Sequence, residues 1–551
     1  MQIRSIQLPV VLLVLIAMAS CESKQNGPSK EAITAINLKR GNVIVCGPAE
    51  KQFGAADFPI TAHDSIKKEF NLAISLLHSF EYDEAEKVFA SIIDKDPSCA
   101  MAYWGVAMSN YHPLWAPPSE TELKKGAAAL EIAQSIENKT KREIDYINAL
   151  SAFYNDWSKS PHRARSIQYE KAMEKLYADY KGDKETAIFY SLALDASADP
   201  ADKTFVNQKK AAVILNALYP NEPNHPGIAH YIIHTYDYPE VAELALPMAR
   251  KYATIAPSSS HALHMPSHIF TRLGLWSEAI SSNKAAAESA RCYAESVGIK
   301  GAWDEELHAL DYLMYAFLQK SDNDNAKAQW DYVRSIPAVS PMNFKVAYSF
   351  AAIPARYTLE NKIWDEASNL ELYPSYVPWK NFPWQEAIVH FARAIGSVNL
   401  GHLSAAREEA SKLAALRDTL IGQKDAYKAN QVDIQLKSVQ AWILLTEGKK
   451  EEAIQLMRSA ADMEDKTEKH AVTPGEILPA KELLGDMYME LAMPAEALAA
   501  YEANLKQRPN RYNSLIGAAR SAEKLKQREK AHQYRYQLEK MLAPSGLVKK
   551  L

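Results

Sequence analysis

A spacing of 34 residues recurs along most of this 551-residue chain, and it constrains the fold more than any other feature. Residues 66–99 put Leu72, Leu76 and Leu77 on one helical face, followed by Ala85, Phe89 and a closing Pro97. Residues 478–511 repeat the scheme most cleanly, with Leu484-Gly485-x2-Tyr488, then Ala497-x3-Tyr501, then Pro509. Each unit reads as two amphipathic helices with proline ending the second, because proline cannot continue a helix interior. A row of such hairpins buries apolar faces between neighbours and grows without a central core. That accommodates the length better than three or four globular domains do. The composition agrees, since Gly is scarce at 19 and helix formers dominate.

The Leu-Gly-x2-Tyr run and the Ala-x3-aromatic…Pro ending resemble the tetratricopeptide repeat, over most of residues 64–545. The resemblance implies an all-α, right-handed solenoid of helical hairpins behind a short irregular N-terminal leader. It also implies that the first helices line a concave groove, and that protein or peptide partners bind there. Repeats of this kind specify fold and are nearly silent about function. Residues 31–60 lack helical period, and NVIVCG is their one strand-like run. Residues 64–372 read as an N-terminal array and 385–551 as a C-terminal one. Between them 373–384 (YPSYVPWKNFPW) forms a joint rich in proline and aromatic residues. Ser119 followed by Glu122 predicts a capping box at a helix start.

The first 20 residues have the form of a signal peptide: Arg4, an apolar run from Leu8 to Met18, then Ala19 and Ser20. Met18-Ala19-Ser20-Cys21 resembles a bacterial lipobox with Met in the usual Leu position. The resemblance implies cleavage before Cys21 and lipidation of its thiol, with residues 21–63 as tether and leader. The alternative is an ordinary signal peptide with a cysteine nearby. Glu22 differs from the Asp that retains such lipoproteins at the inner membrane, so the expected location is the outer membrane, with the lipid as the sole membrane contact. Cys46, Cys99 and Cys292 form no CxxC pair, although one disulfide is permitted. Cys99 lies on an apolar helical pattern and reads as a buried thiol. The formal net charge of −4 and the lack of a basic tract argue against nucleic-acid partners.

Chemistry concentrates between His225 and His268, which hold six of the 15 histidines. His230 pairs with His234, and His264 with His268, each as HxxxH, which puts both rings on one helix face. The second pair follows the first by one repeat, so the two pairs are expected on neighbouring first helices, in positions that could face the groove. Pro266 threatens the match, because proline suits only a helix's first turn. His261 stands one turn before His264, and His308 and Asp311 share a later helix with Tyr312. These seven, His230, His234, His261, His264, His268, His308 and Asp311, are the candidate metal ligands. His225, Tyr231, Asp237, Tyr312, His78, Trp104 and His112 are candidates for the groove or for orienting imidazoles.

A nitrogen-rich set suits zinc, copper or iron better than calcium or magnesium. Two other readings of the histidines stay open: a polar groove for an organic anion or peptide, and plain hydrogen bonding between repeats. At the level of function the first reading is a lipid-anchored binding protein or scaffold with a histidine-rich groove for a metal, small ligand or peptide. The alternatives are a metal-dependent hydrolase or oxidoreductase and a purely structural envelope scaffold. No catalytic residue is assignable. The Ser258-Ser259-Ser260-His261 run follows Pro257 at a repeat boundary, where serine is an ordinary helix cap.

Overall fold

A computed structural model describes residues 27–48, 52–114, 117–199 and 202–543. The signal segment and Cys21 lie outside the described residues. The leader begins with a short helix, α1 (Lys30–Ala35), capped by Ser29. Hairpins then follow in chain order. The first four are α2 (Asp64–His78) with α3 (Tyr82–Lys95), α4 (Ala100–Ser109) with α5 (Glu120–Ser135), α6 (Lys141–Tyr154) with α7 (His162–Asp179), and α8 (Lys184–Ser197) with α9 (Val206–Leu218). Next, α10 (Pro226–Thr235) packs on α11 (Leu246–Ile255), while α12 (Ser260–His264) and α13 (Pro266–Arg272) together oppose α14 (Trp276–Val297). After them come α15 (Asp304–Gln319) with α16 (Asn323–Ser335), α17 (Phe344–Glu360) with α18 (Trp364–Ser368), and α19 (Pro383–Asn399) with α20 (Leu403–Gly422). The array closes with α21 (Ala426–Thr446) and α22 (Lys450–Asp465), α23 (Ala480–Glu490) and α24 (Pro494–Gln507), and α25 (Tyr512–Lys524) and α26 (Arg528–Leu542). The fold is an all-α helical solenoid, as the 34-residue period predicts.

One turn recurs along it. The residue ending a hairpin's first helix is left-handed at Phe80, Gly274, Ser321, Lys362, Gly401, Gly448, Ala492 and Lys526, with φ between +53° and +82°. That conformation stops a helix and aims the chain back along it. Capping boxes start α5 at Ser119 with Glu122, as expected, and α6 at Thr140 with Glu143. Cys99 is a buried free thiol. Ser259 caps α12, which is the ordinary role expected for that serine run. No helix among the described residues is long and apolar enough to cross a membrane.

The leader departs from its expected form in two ways. It contains α1, and NVIVCG forms no strand. With no neighbouring strand to pair with, the leader's backbone N–H groups go to side chains instead: Lys39 donates to Glu86 Oε1 at 2.7 Å and Ile44 to Glu84 Oε2 at 2.9 Å. The two strands among the described residues are two-residue stubs, β1 (Ala302–Trp303) and β2 (Val339–Ser340), paired in parallel. Further on, Ala55 N–H donates to the Asn224 carbonyl, and Ser258 N–H to the Gln52 carbonyl. A disulfide between Cys46 and Cys292 ties the leader to α14. The leader therefore straps across the hairpins that carry the histidines.

The C-terminal hairpins fold back onto the same region. A single apolar core runs from Ala286 to Ala531 and includes Val377, Trp379 and Trp384 of the proline-rich stretch. Trp276 Nε1–H donates to the Asn510 carbonyl at 2.8 Å, and Asn510 Nδ2–H donates to the Gly274 carbonyl. The approach is so close that a Cβ on Gly274 would meet the Pro509 carbonyl oxygen at 2.3 Å. Beneath this contact the fully buried Arg511 donates to Glu482 (2.8 Å), Glu360 (2.6 Å) and the Tyr315 hydroxyl (3.1 Å), joining α15, α17, α23 and α25. Removing one member of a buried ion cluster strands the opposite charges, at a cost of about 3–5 kcal/mol. Arg511→Ala should lower stability by about that amount in chemical denaturation. A loss below about 1 kcal/mol, the range of an exposed pair, would show that the cluster does not hold the two parts of the array together.

Candidate metal centre

Three hairpins bring the histidines together. Pro226 at the first position of α10 has no N–H to leave unpaired, so the helix starts cleanly after His225. His230 and His234 then share a face, with Nε2 atoms 2.9 Å apart. His261, on α12, brings its Nε2 to 3.1 Å from that of His230. Pro266 interrupts the hydrogen bonding between α12 and α13 but leaves the winding intact, because Met265 keeps right-handed helical angles (φ −53°, ψ −36°). His264 and His268 therefore remain one turn apart, with Nε2 atoms at 3.1 Å. His308 on α15 joins them, its ring centroid 4.2 Å from that of His264. Two three-histidine groups result, His230–His234–His261 and His264–His268–His308, and within each group the ligand atoms lie within 4.8 Å of one another.

Both groups are interior, not set on an open concave surface as the repeat pattern suggests. His230 is 0% exposed, His264 2% and His308 7%, and His234 alone is half-buried. The turn after α2, α15 and the segment between α22 and α23 close over them. Phe80, held left-handed by the hairpin turn after α2, lays its ring against His230, His234 and His261 at 4.4, 5.7 and 5.5 Å. On the other side Tyr312 packs against His264 and His268 and donates its hydroxyl to the Thr473 carbonyl.

The hydrogen-bond partners fix which ring nitrogen carries the proton. His230 Nδ1 lies 2.6 Å from the His78 carbonyl oxygen, in the last turn of α2, where helix carbonyls lack intrahelical partners. A carbonyl only accepts, so Nδ1 is the protonated nitrogen and Nε2 of the neutral ring is bare. His264 Nδ1 donates to Asn283 Oδ1 at 2.6 Å, and that amide is oriented by Nδ2 donating to the Ala279 carbonyl. His268 Nδ1 donates to Asp237 Oδ2 at 3.0 Å. Burial alone would raise the Asp237 carboxyl, but Lys469 and Arg272 hold it well below the usual range, so it too only accepts. His264 and His268 thus turn two bare nitrogens on each other at 3.1 Å. A shared proton does not resolve this contact at neutral pH. Burial lowers both histidines below their ordinary value, reinforced at His264 by the neighbouring His268 ring and opposed at His268 by the Asp237 carboxylate, which does not overcome it. A cation does resolve it, since nitrogens sharing a metal at 2.0–2.1 Å stand about 3.0–3.4 Å apart.

A third group, His78–Glu185–His225, has the same spacing but different chemistry. Glu185 accepts from His78 Nε2 and from His225 Nε2, each at 3.0 Å, and the Tyr231 hydroxyl donates to His78 Nδ1 at 2.9 Å. Burial opposes its ionisation, yet the two imidazoles keep the Glu185 carboxyl well below the usual range. Every one of these contacts pairs a donor with an acceptor, so Glu185 is satisfied without an ion, and His225 Nδ1 is the one ring nitrogen of the group that lacks a hydrogen-bond partner. The group's part is to hold His78, whose carbonyl orients His230.

The remaining candidates stand elsewhere. Asp311 shares α15 with His308 but points the other way, receiving Arg356 Nη1 at 2.6 Å; a buried guanidinium claims it before a metal could. Trp104 belongs to an aromatic core with Phe58, Tyr146 and Phe189. His112 pairs with Glu122 at 3.2 Å and packs on Tyr82. Sequence reasoning missed Glu185, Asn283, Phe80 and Lys469, each of which sits in an unremarkable helix or turn context.

No family model matches the chain, and no curated protein matches it. Solved structures similar to it include the TPR domain of P58(IPK), at 13% identity over 85% of this chain and 99% of that one, with a TM-score of 0.21. Human IFIT1, solved as a dimer with m7Gppp-AAAA, is 10% identical over 88% of this chain and 96% of its own, with a TM-score of 0.35. The APC/C hetero-tetramer Cut9–Hcn1 gives 13%, 88%, 95% and 0.30 in the same order. The superpositions are poor at these scores, and the fold rests on the helix pairing itself.

The Glu185 group yields a test that needs no metal. Glutamine at this position would turn an N–H donor toward an imidazole N–H, costing roughly the 1.5–3 kcal/mol of a hydrogen bond to a charged group. Glu185→Gln should lose about that much stability in the presence of a chelator. An unchanged denaturation midpoint would mean that His78 and His225 do not both donate to the carboxylate.

Proposed function

We propose that this protein is a transition-metal-binding helical-repeat protein of the cell envelope, with one ion at each three-histidine group. The observation that carries the reading is the pair of bare Nε2 atoms of His264 and His268, 3.1 Å apart, with both Nδ1 atoms already committed. Zinc, copper and iron all suit imidazole. Three protein ligands leave a coordination position free, the pattern of sites that act on a bound molecule; purely structural zinc sites close all four. That favours a metal-dependent hydrolase or oxidoreductase over an inert scaffold. A protein or peptide partner, which the repeat resemblance implies, belongs on the outer faces of the array, since the histidines are enclosed. The lipobox-like segment ending at Cys21 supports a lipid-anchored protein at the outer membrane. The Cys46–Cys292 disulfide supports an oxidising compartment.

Reconstitution of chelator-stripped protein with zinc, copper or iron, followed by metal analysis, tests the reading. Two ions per chain are expected, one for each group. His230→Ala/His264→Ala should bind none while keeping its helical circular dichroism. Absence of stoichiometric metal from the unaltered chain with all three metals would overturn the proposal. Asn283→Ala, which frees the His264 ring, should weaken the second site about 10–100-fold in a competition titration against a chromophoric chelator. An unchanged affinity would mean that Asn283 does not orient a ligand.

A further inference from the structure

We propose that the two three-histidine groups work as one dinuclear copper centre that takes up dioxygen between its ions; this rests on the metal reading above. Two features of the site point there: the closeness of the groups and the charge of everything around them.

The groups are not separate sites. His234 of the first and His268 of the second face each other edge to face, with ring centroids 6.5 Å apart. His261 and His264 occupy successive turns of one short helix, so a single element supplies a ligand to each group. Ions held 2.0–2.1 Å beyond the Nε2 atoms would share the space between these rings, within reach of one bridging molecule.

The ligand set is six neutral imidazoles with no carboxylate. Each carboxylate near it is already engaged: Asp237 with His268, Arg272 and Lys469, Asp311 with Arg356, and Glu81 with the Ser259 hydroxyl. Around Asp237 stand Arg272 and Lys469, whose charges are answered by Asp237 and by Glu476 beyond it, so no anion is left over for added metal charge. Two divalent ions would add four positive charges to this interior, and an uncompensated buried charge is expensive. Two Cu(I) ions add half as much, and a soft monovalent ion accepts three nitrogen ligands without a fourth.

Dioxygen chemistry then proceeds at constant charge. Each Cu(I) gives one electron, dioxygen takes both, and the product is peroxide bridging two Cu(II) ions. The total charge is +2 before and after, and no proton is required. A largely buried site without carboxylate ligands suits that reaction. It suits a pair of zinc ions less well, because they would need an added anion. The enclosure also fits a diatomic molecule: of the six ligands only His234 is half-buried, and Phe80 and Tyr312 cover the rest.

The test uses the unaltered chain. Metal-free protein is loaded without air with two equivalents of Cu(I), excess copper is removed, and dioxygen is admitted. The expected result is uptake of one dioxygen per two coppers at an oxygen electrode. A new near-ultraviolet charge-transfer band should appear, with no copper signal in electron paramagnetic resonance, because two bridged Cu(II) spins cancel. Two retained coppers that take up no dioxygen, or that oxidise to two independent Cu(II) signals, would overturn the coupled centre and leave the metal reading intact. Retention of zinc with rejection of Cu(I) would also overturn it. A chain that binds neither would remove both proposals. His308→Ala and His261→Ala, each taking one ligand from one group, should both abolish dioxygen uptake, and retention of uptake by either would show that the groups act separately.

Discussion

Three hydrogen-bond acceptors decide how the centre of this molecule is arranged: the His78 carbonyl, the Asn283 amide oxygen and the Asp237 carboxylate. Each takes the Nδ1 proton of a different histidine and so turns a bare Nε2 inward. The acceptors come from the end of α2, from α14, and from the turn after α10, and His78 and Asn283 stand 205 residues apart in the chain. The imidazoles converge only if α2, the middle hairpins and the segment before α23 are all in place. The long-range packing of the array and the chemistry of its centre are therefore one constraint. The Glu185 group extends it outward, since Glu185 holds His78, and His78 in turn offers the carbonyl that orients His230.

Local pattern made much of this legible in advance. The 34-residue spacing predicts hairpins, and the i,i+4 spacing of His230 with His234 and of His264 with His268 puts each pair on one face. Pro266 proved harmless for a reason no pattern conveys: Met265 keeps helical angles, so only a hydrogen bond is lost. The orienting residues were not legible. Glu185 sits in the first turn of α8, where acids are common for helix-dipole reasons alone. Asn283 is one polar residue in a long helix. Asp311 shows the converse failure. Helical spacing puts it near His308, but only the fold brings Arg356 to claim it. The strand expected at NVIVCG failed similarly, because alternating apolar residues need a partner strand, and carboxylates of α3 stand there instead.

Enclosure changes what the histidines are suited for. On an open concave wall they would serve as hydrogen-bonding groups for a peptide. Inside, burial favours the neutral rings, and a neutral imidazole is the form that binds metal. The comparison between groups is internal to the molecule. His78 and His225 are equally buried and equally close, yet a carboxylate accepts from both. Where a carboxylate stands between two imidazoles the hydrogen bonds close. Where only imidazoles meet, a lone pair is left over.

The Cys46–Cys292 bond has a topological consequence. Its loop of chain includes His78, Glu185, His225 and five of the six inward-facing ligands; His308 alone lies outside. Once that ring is closed, the segment that carries the five ligands has fewer conformations open to it when the hairpins loosen. An ion released by partial unfolding would find its nitrogens still tethered nearby. Covalent closure therefore favours reassembly of the site over its dispersal.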